Sequence, residues 1–214
     1  NTVKMLGLNS YGLTDREYGF LVGILLGDGC ITEGTKERKS LKISSNKDEV
    51  EWNNIIKNLL TKLGCNPIED IGRKDTKSMN ININGKGNLY NIVDELDLWG
   101  TSHTKRLPRI LLNGNKDILS GIIDGYISTD GNVNTKSNHP SVRISSCNKK
   151  LLQDTRNVFL LLGMVTSFST TKRKGNHYID GRLISGTDRH TLSVSGNSIM
   201  TIYNEVNLTK PKDK

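Results

Sequence analysis

The sequence predicts an α+β protein built from two copies of one unit, and three observations carry that prediction. Apolar, helix-like segments recur with small residues four positions apart. Short segments alternate apolar and polar side chains, as strands with one covered face do. The order of these pieces in the first half of the chain returns in the second, which is the mark of a tandem duplication. A chain of 214 residues suffices for one large domain or two small ones with cores of their own.

The elements follow one another in matched order. Phe20 to Gly27 reads as an apolar helix that runs into Asp28 and Gly29; Gly121 to Thr129 does the same before Asp130 and Gly131, 102 positions later. Ser45 follows Asp28 by 17 residues in SLKISSNKDEV, and Ser146 follows Asp130 by 16 in SVRISSCNKKL. A helix-like stretch then ends in Leu-Gly at Gly64 in one half and Gly163 in the other. Alternating strands lead into Gly85 and Gly196, and a further apolar helix follows each. Each half therefore reads helix, two strands, helix, two strands, helix. The first repeat spans 1–110, with an N-terminal extension and a linker near 98–112; the second spans 111–214. An insertion from Thr170 to Arg189 has no counterpart in the first half.

The strands divide their side chains cleanly. Leu41 and Ile43 oppose Lys42 and Ser44; Met79, Ile81 and Ile83 oppose Asn80, Asn82 and Asn84. Val142 and Ile144 oppose Arg143 and Ser145; Leu192 and Val194 oppose Ser193 and Ser195. Each sheet should have an apolar face under helices and an open face of Lys, Arg, Asn and Ser. Polar open faces are ordinary. In a basic chain these groups also match what reading base edges in a major groove requires. The charge fits: Lys plus Arg is 30 against 22 Asp plus Glu, a net +8, which favours a polyanionic partner such as double-stranded DNA. Basic clusters fall in the connecting segments: Lys36, Arg38 and Lys39; Arg73, Lys74 and Lys77; Lys136; Lys172, Arg173 and Lys174, with Arg182. At hairpin tips they would grip phosphates.

Other classes are disfavoured. Cys30, Cys65 and Cys147 are odd in number and lack metal-type spacing, so they read as small core residues of a reducing, intracellular compartment. His103, His139, His177 and His190 form no ligand pattern; Trp52 and Trp99 read as core. The longest apolar run, Phe20 to Leu26, is too short to span a bilayer, and no signal peptide is evident.

The helices that end in Asp-Gly pose a physical problem. The C-terminal end of a helix carries partial negative charge, so a carboxylate is unwelcome there. Glycine within a helix costs roughly 1 kcal/mol against alanine. Here Gly23 and Gly27 form one stripe, and Gly121, Gly125 and Thr129 another. Close helix-to-helix packing through the stripes would compensate for the glycines and bring Asp28 and Asp130 out side by side. Gly29 and Gly131 would let the chain turn away, as glycine does after a helix end. Two carboxylates and terminal carbonyls, those of Gly27 and Thr129, then favour a hard cation between them: Mg²⁺, or Mn²⁺.

These residues carry a resemblance. LVGILLGDG (Leu21 to Gly29) and IDGYISTDG (Ile123 to Gly131) resemble the two signature motifs of the LAGLIDADG homing endonucleases, of the two-motif monomeric type found within inteins. ELDLWGTSHTKRLPRILL, Glu95 to Leu112, is similar to the linker of that type. The resemblance implies two αββαββα halves related by a pseudo-twofold axis, with the motif helices at the interface and the antiparallel sheets forming a saddle over DNA. It implies cleavage of both strands of a long asymmetric site by metal-assisted phosphodiester hydrolysis. The metal-binding acid of each motif falls on Asp28 and Asp130. The earlier acidic position of the motif is Leu26 in one copy and Ser128 in the other, a departure that leaves the metal ligands in place. Asp124, more than a turn earlier, reads as a helix-surface or capping residue. A basic residue beside each metal falls on Lys105 in the first half and on Lys210 in the second, with Lys212 as runner-up.

Two other activities fit the same fold: a DNA-binding regulator that does not cut, and an RNA maturase. Retention of Asp28, Asp130 and Lys105 argues for cleavage. Protein splicing is not expected, since the chain opens with Asn1 and closes in Lys-Asp-Lys.

Overall fold

The computed structural model describes residues 2–33, 39–72, 76–84, 87–135, 139–172, 176–179 and 182–210. A short α1 (Thr2–Met5) precedes α2 (Asp15–Gly27), β1 (Gly29–Glu33), β2 (Lys39–Asn46), α3 (Val50–Lys62), β3 (Asn66–Ile71), β4 (Ser78–Asn84) and α4 (Asn88–Glu95). A 3-10 turn at Arg109–Asn113 leads into α5 (Lys116–Asp130), β5 (Gly131–Asn134), β6 (Ser141–Ser146), α6 (Lys149–Leu161) and β7 (Thr166–Thr171). Then come β8 (Asn176–Ile179), β9 (Arg182–Ser185), β10 (Arg189–Ser195), α7 (Ser198–Thr201) and a π-helical turn at Ile202–Val206. The duplicated order expected from the sequence is present, and the insertion forms its own antiparallel hairpin, β8 with β9.

Two antiparallel four-stranded sheets result, ordered β1-β2-β4-β3 and β5-β6-β10-β7. Their registers correspond: Gly29 lies opposite Ile43 and Gly131 opposite Ile144. In both sheets the alternating apolar residues are buried. Leu41, Ile43, Met79, Ile81 and Ile83 join Trp52, Ile56 and Leu60 of α3; Val142, Ile144, Leu192 and Val194 join Leu152 and Phe159 of α6. Period-2 burial on the strands and period-3.6 burial on α3 and α6 face each other in each half, and the α2 and α5 residues between them join both into one continuous core. No helix among the described residues is long and apolar enough to cross a membrane.

Local chemistry starts the two central helices. Thr14 and Glu17 form a capping box: Thr14 Oγ1 accepts from the Glu17 N–H at 3.2 Å, and Glu17 Oε2 accepts from the Thr14 N–H at 3.0 Å. Asn115 Oδ1 caps α5 by accepting from the Ile118 N–H at 3.1 Å.

The glycine stripes are where α2 and α5 touch. A Cβ added at Gly23 would lie 2.3 Å from the Ile122 carbonyl oxygen, and one at Gly125 would lie 2.2 Å from that of Phe20. At Gly27 it would lie 2.0 Å from Thr129 Oγ1. Gly19, a turn before the expected stripe, belongs to the same seam, 2.1 Å from the Ile118 oxygen by the same measure. No side chain fits in such a contact.

Gly29 and Gly131 serve a different purpose from the one the sequence suggests. Neither is left-handed; Gly131 has φ −80° and ψ 152°. They lie against their own helices, where a Cβ would come 2.4 Å from the Leu25 oxygen or 2.5 Å from that of Ile127. The left-handed glycines that end α3 and α6 are Gly64 and Gly163, at φ +71° and +76°. The cysteines also differ from expectation: all three are free, but only Cys65 is buried, while Cys30, on the edge strand β1, and Cys147, just after β6, are half-buried. Trp52 is core; Trp99 is half-buried, with its indole N–H donating to Asp94 Oδ1 at 2.6 Å.

Candidate functional site

Because α2 and α5 run parallel and meet at Gly27 and Thr129, the next residues, Asp28 and Asp130, leave the helix pair together. Asp28 is half-buried and Asp130 exposed. The Asp28 carbonyl accepts from the Ser44 N–H at 3.0 Å, which fixes the first motif end to the centre of its sheet.

Lys105 comes to the same place from the linker. Its side chain is only 4 % exposed. Its Nζ donates to the Leu25 carbonyl at 2.8 Å and to the Gly29 carbonyl, so the ammonium bridges the residues on either side of Asp28. Burial pulls its pKa below the usual lysine range, and the negative charges of Asp130, Cys30 and Asp28 work in the opposite direction. Both carboxylates therefore bear on the charge of this one ammonium.

The second half holds this lysine in position. Asn148, the N-cap of α6, donates from Nδ2 to the Lys105 carbonyl at 2.7 Å. The neighbouring Arg106 makes a two-pronged contact with Asp154, at 2.6 Å from Nε and 2.8 Å from a terminal nitrogen. Neither Asn148 nor Asp154 has a signal in the sequence beyond a capping residue and a helix-surface acid, because the partner lies more than 40 positions earlier.

Lys210 is placed differently. Its Nζ donates to Glu49 Oε2 at 2.6 Å and sits 5.1 Å over the Trp52 ring. Trp52 in turn packs edge-on against Phe20, which is eight residues, or about 12 Å of helix, before Asp28. The side chain expected beside the second carboxylate is thus engaged along the flank of the first repeat. Lys212 lies outside the described residues.

Asp124 is neither surface nor cap. It is 1 % exposed and receives Arg16 at 2.9 Å, the Thr209 N–H at 2.8 Å, the Thr209 hydroxyl at 2.6 Å and the Ser128 hydroxyl at 3.2 Å. The C-terminal segment folds back over it, which a local reading of the helix cannot anticipate. Burial raises the pKa of Asp124, against the opposing effect of Thr209 and Arg16. It is a structural buried acid, and Ser128 serves it.

On the open sheet faces the described polar residues fall in rows. Lys42 and Asn82 lie opposite one another, as do Ser44 and Asn80. In the second sheet Arg143 lies opposite Ser193, and Ser145 opposite Thr191. Ser195 is exposed at the end of β10, and Lys172 is exposed after β7. Lys77 is exposed and paired with Asp48 at 2.8 Å. Lys39, Asn84 and Arg182 are described in their backbone alone; Lys36, Arg38, Arg73, Lys74, Lys136, Arg173 and Lys174 lie outside the described residues.

A family model described as "LAGLIDADG-like domain" matches residues 117–207. In Methanocaldococcus jannaschii, DNA-directed RNA polymerase subunit Rpo1C is 29% identical over 77% of this chain and 18% of its own length. Probable translation initiation factor IF-2 of the same organism is 28% identical over 91% of this chain and 16% of its own length. The chain thus spans less than a fifth of these curated relatives. Among solved structures, the homing endonuclease I-DmoI superimposes with a TM-score of 0.60 at 16% identity, covering 90% of this chain and 96% of that one. I-WcaI bound to its DNA recognition sequence gives 0.55 at 15% identity over 97% and 92%. The N-terminal LAGLIDADG domain of DUF199/WhiA gives 0.54 at 12% identity over 94% and 86%. Further I-DmoI structures are complexes with DNA that contain Ca, Mn or Mg. Residues 117–207 thus match a LAGLIDADG-like domain, and the chain as a whole shares the two-repeat LAGLIDADG fold of I-DmoI.

Proposed function

We propose that the chain is a site-specific endonuclease that cuts both strands of double-stranded DNA, acting as a monomer inside the cell, with repeats 1–110 and 111–214 each supplying one half of the site. The observation that supports this best is the close contact of α2 and α5 at Gly27 and Thr129, just before Asp28 and Asp130, with the buried Lys105 ammonium held on the Leu25 and Gly29 carbonyls beside Asp28. The donor set fits a hard divalent cation. Among the described residues no three His, Cys, Asp or Glu side chains form a metal cage, so Asp28 and Asp130, with the carbonyls of Gly27 and Thr129, offer an incomplete oxygen shell. Such a shell suits Mg²⁺ or Mn²⁺, with water and DNA phosphates completing it.

When bound, the cation supplies Lewis-acid activation of water and neutralises charge at the leaving 3′ oxygen. The chain's own groups do the rest. Asp28 and Asp130 set the charge of the site. Lys105, fixed by the Leu25 and Gly29 carbonyls, presents a positive charge, preorganised before DNA arrives, to the phosphoryl group as negative charge develops. The basic segments and the open sheet faces would hold backbone and base edges. The matched relatives are functionally dissimilar, a polymerase subunit and a translation factor, and each shares less than a fifth of its length. That pattern fits a segment inserted into host proteins, as inteins are.

Replacing Asp28 or Asp130 with Asn and following linearisation of plasmids that carry host-derived sites with Mg²⁺ tests the proposal. The expected result is loss of double-strand cutting by both variants; cutting at wild-type rate by both would refute it. A regulator that binds without cutting is the second reading, favoured by the engagement of Lys210 with Glu49 and by the likeness to the DUF199/WhiA domain. It predicts specific binding by the wild type with no cleavage in Mg²⁺ or Mn²⁺.

A further inference from the structure

The open faces of the two sheets differ in chemistry row by row, and the strand registers align the rows. In the first sheet the row nearest the motif glycine runs Cys30, Lys42, Asn82, Ile68; in the second it runs Asn132, Arg143, Ser193, Ser167. Lys42 and Arg143 each stand one step before the residue paired with the motif glycine, so the duplication places them at equivalent positions. The next rows diverge: Ser44, Asn80 and Asp70 in one half, and Ser145, Thr191 and Ser169 in the other.

Bonding on the two faces also differs. In the first half the amides are held loosely, Asn80 by Ser44 at 3.4 Å and Asn82 by Asp70 at 3.4 Å, so both can exchange these contacts for a base edge. In the second half the Ser145 and Thr191 hydroxyls satisfy one another at 3.0 Å. Arg143 stands exposed among such hydroxyls. Ile68, 45 % exposed beside Asn82, is an apolar group on an otherwise polar face.

Resting on the DNA-binding reading above, we infer that Lys42 and Arg143 are matched base readers, each taking a guanine at positions related by the pseudo-twofold axis, and that Asn82 and Ile68 make the first half the more selective. A long cation meets guanine O6 and N7, an amide pairs with adenine N6 and N7, and an apolar group meets the thymine methyl. A hydroxyl accepts either partner and discriminates poorly. The target should therefore carry a guanine in each half and a stricter adenine–thymine step only on the side of the first repeat.

The test is selection of bound duplexes from a randomised library by the full chain in a Ca²⁺ buffer, with Arg143→Gln and Asn82→Ser compared with wild type. Both side chains are at least partly exposed on a solvated face, so folding is not at stake. The expected result is two guanines equidistant from the centre in wild-type selections. Arg143→Gln should exchange one of them for adenine and bind the original duplex about tenfold more weakly. Asn82→Ser should relax one position in the opposite half. Equal weakening on every duplex by Arg143→Gln, equally strict halves, or a selected sequence without the paired guanines would overturn the inference. Enrichment of no sequence by the wild type would instead remove the DNA-binding reading on which it rests.

Discussion

The two repeats share a backbone plan but not an electrostatic one. At the end of α2 a buried lysine arrives from the linker and bridges the carbonyls on either side of Asp28. In the second repeat the lysine at the matching point of the chain is drawn to Glu49 and the face of Trp52, on the flank of the first repeat. Duplication has preserved strands, helices and motif acids, while the residues that reach across the interface have diverged. Backbone pairing is set by contacts within each half; a long side chain is aimed by whatever lies across from it.

The strongest test of that asymmetry is catalytic. Lys105→Met should reduce cleavage by about 100- to 1,000-fold, the usual loss for one preorganised group that stabilises developing charge. Lys210→Met should stay within about threefold of wild type. Equal losses in single-turnover assays would erase the distinction. Next in size is the seam that the repeats do share. Gly125→Ala places a methyl 2.2 Å from the Phe20 oxygen and should cost about 3 kcal/mol or more in urea unfolding. A loss below about 1 kcal/mol would mean that the helices separate easily.

How much of this was legible follows from the range over which each signal acts. Glycines four apart lie within one helix, so the seam between α2 and α5 could be read directly, and with it the point where the chain leaves each helix at Asp28 and Asp130. The alternation on β2, β4, β6 and β10 likewise survives in every strand. Asp124 could not be read, because its partners Arg16 and Thr209 come from segments 108 and 85 positions away and only the fold brings them over it. The same holds for Lys210 and Glu49, 161 positions apart. Gly29 and Gly131 show a subtler loss: the residue type was informative, but the reason was contact with the preceding turn and not a left-handed backbone.

Smaller effects probe what aims Lys105. Asp154→Ala removes the two-pronged partner of Arg106, which is partly exposed, and should cost roughly 1 kcal/mol of stability. It should also lower cleavage severalfold while leaving DNA affinity unchanged; unchanged cleavage would show that the linker needs no such anchor. Lys210→Ala should lose about 1 kcal/mol in thermal unfolding, from one ion pair and one cation–π contact, with no loss of cutting. The smallest effect is in pH. The folded pKa of Lys105 lies below its unfolded value because of burial, so the unfolded chain binds more protons between the two. Wild-type stability relative to Lys105→Met should therefore rise as pH increases toward the ordinary lysine range. A flat difference between pH 8 and 10 would argue against burial of the charged form.

The bond from Asn148 to the Lys105 carbonyl has a practical outcome for anyone recombining such proteins. The ammonium belongs to one repeat by descent, yet its bearing is set by a capping amide of the other. Grafting a foreign second repeat onto this first one would keep the lysine and lose its sighting, unless an asparagine arrives at the start of the incoming helix.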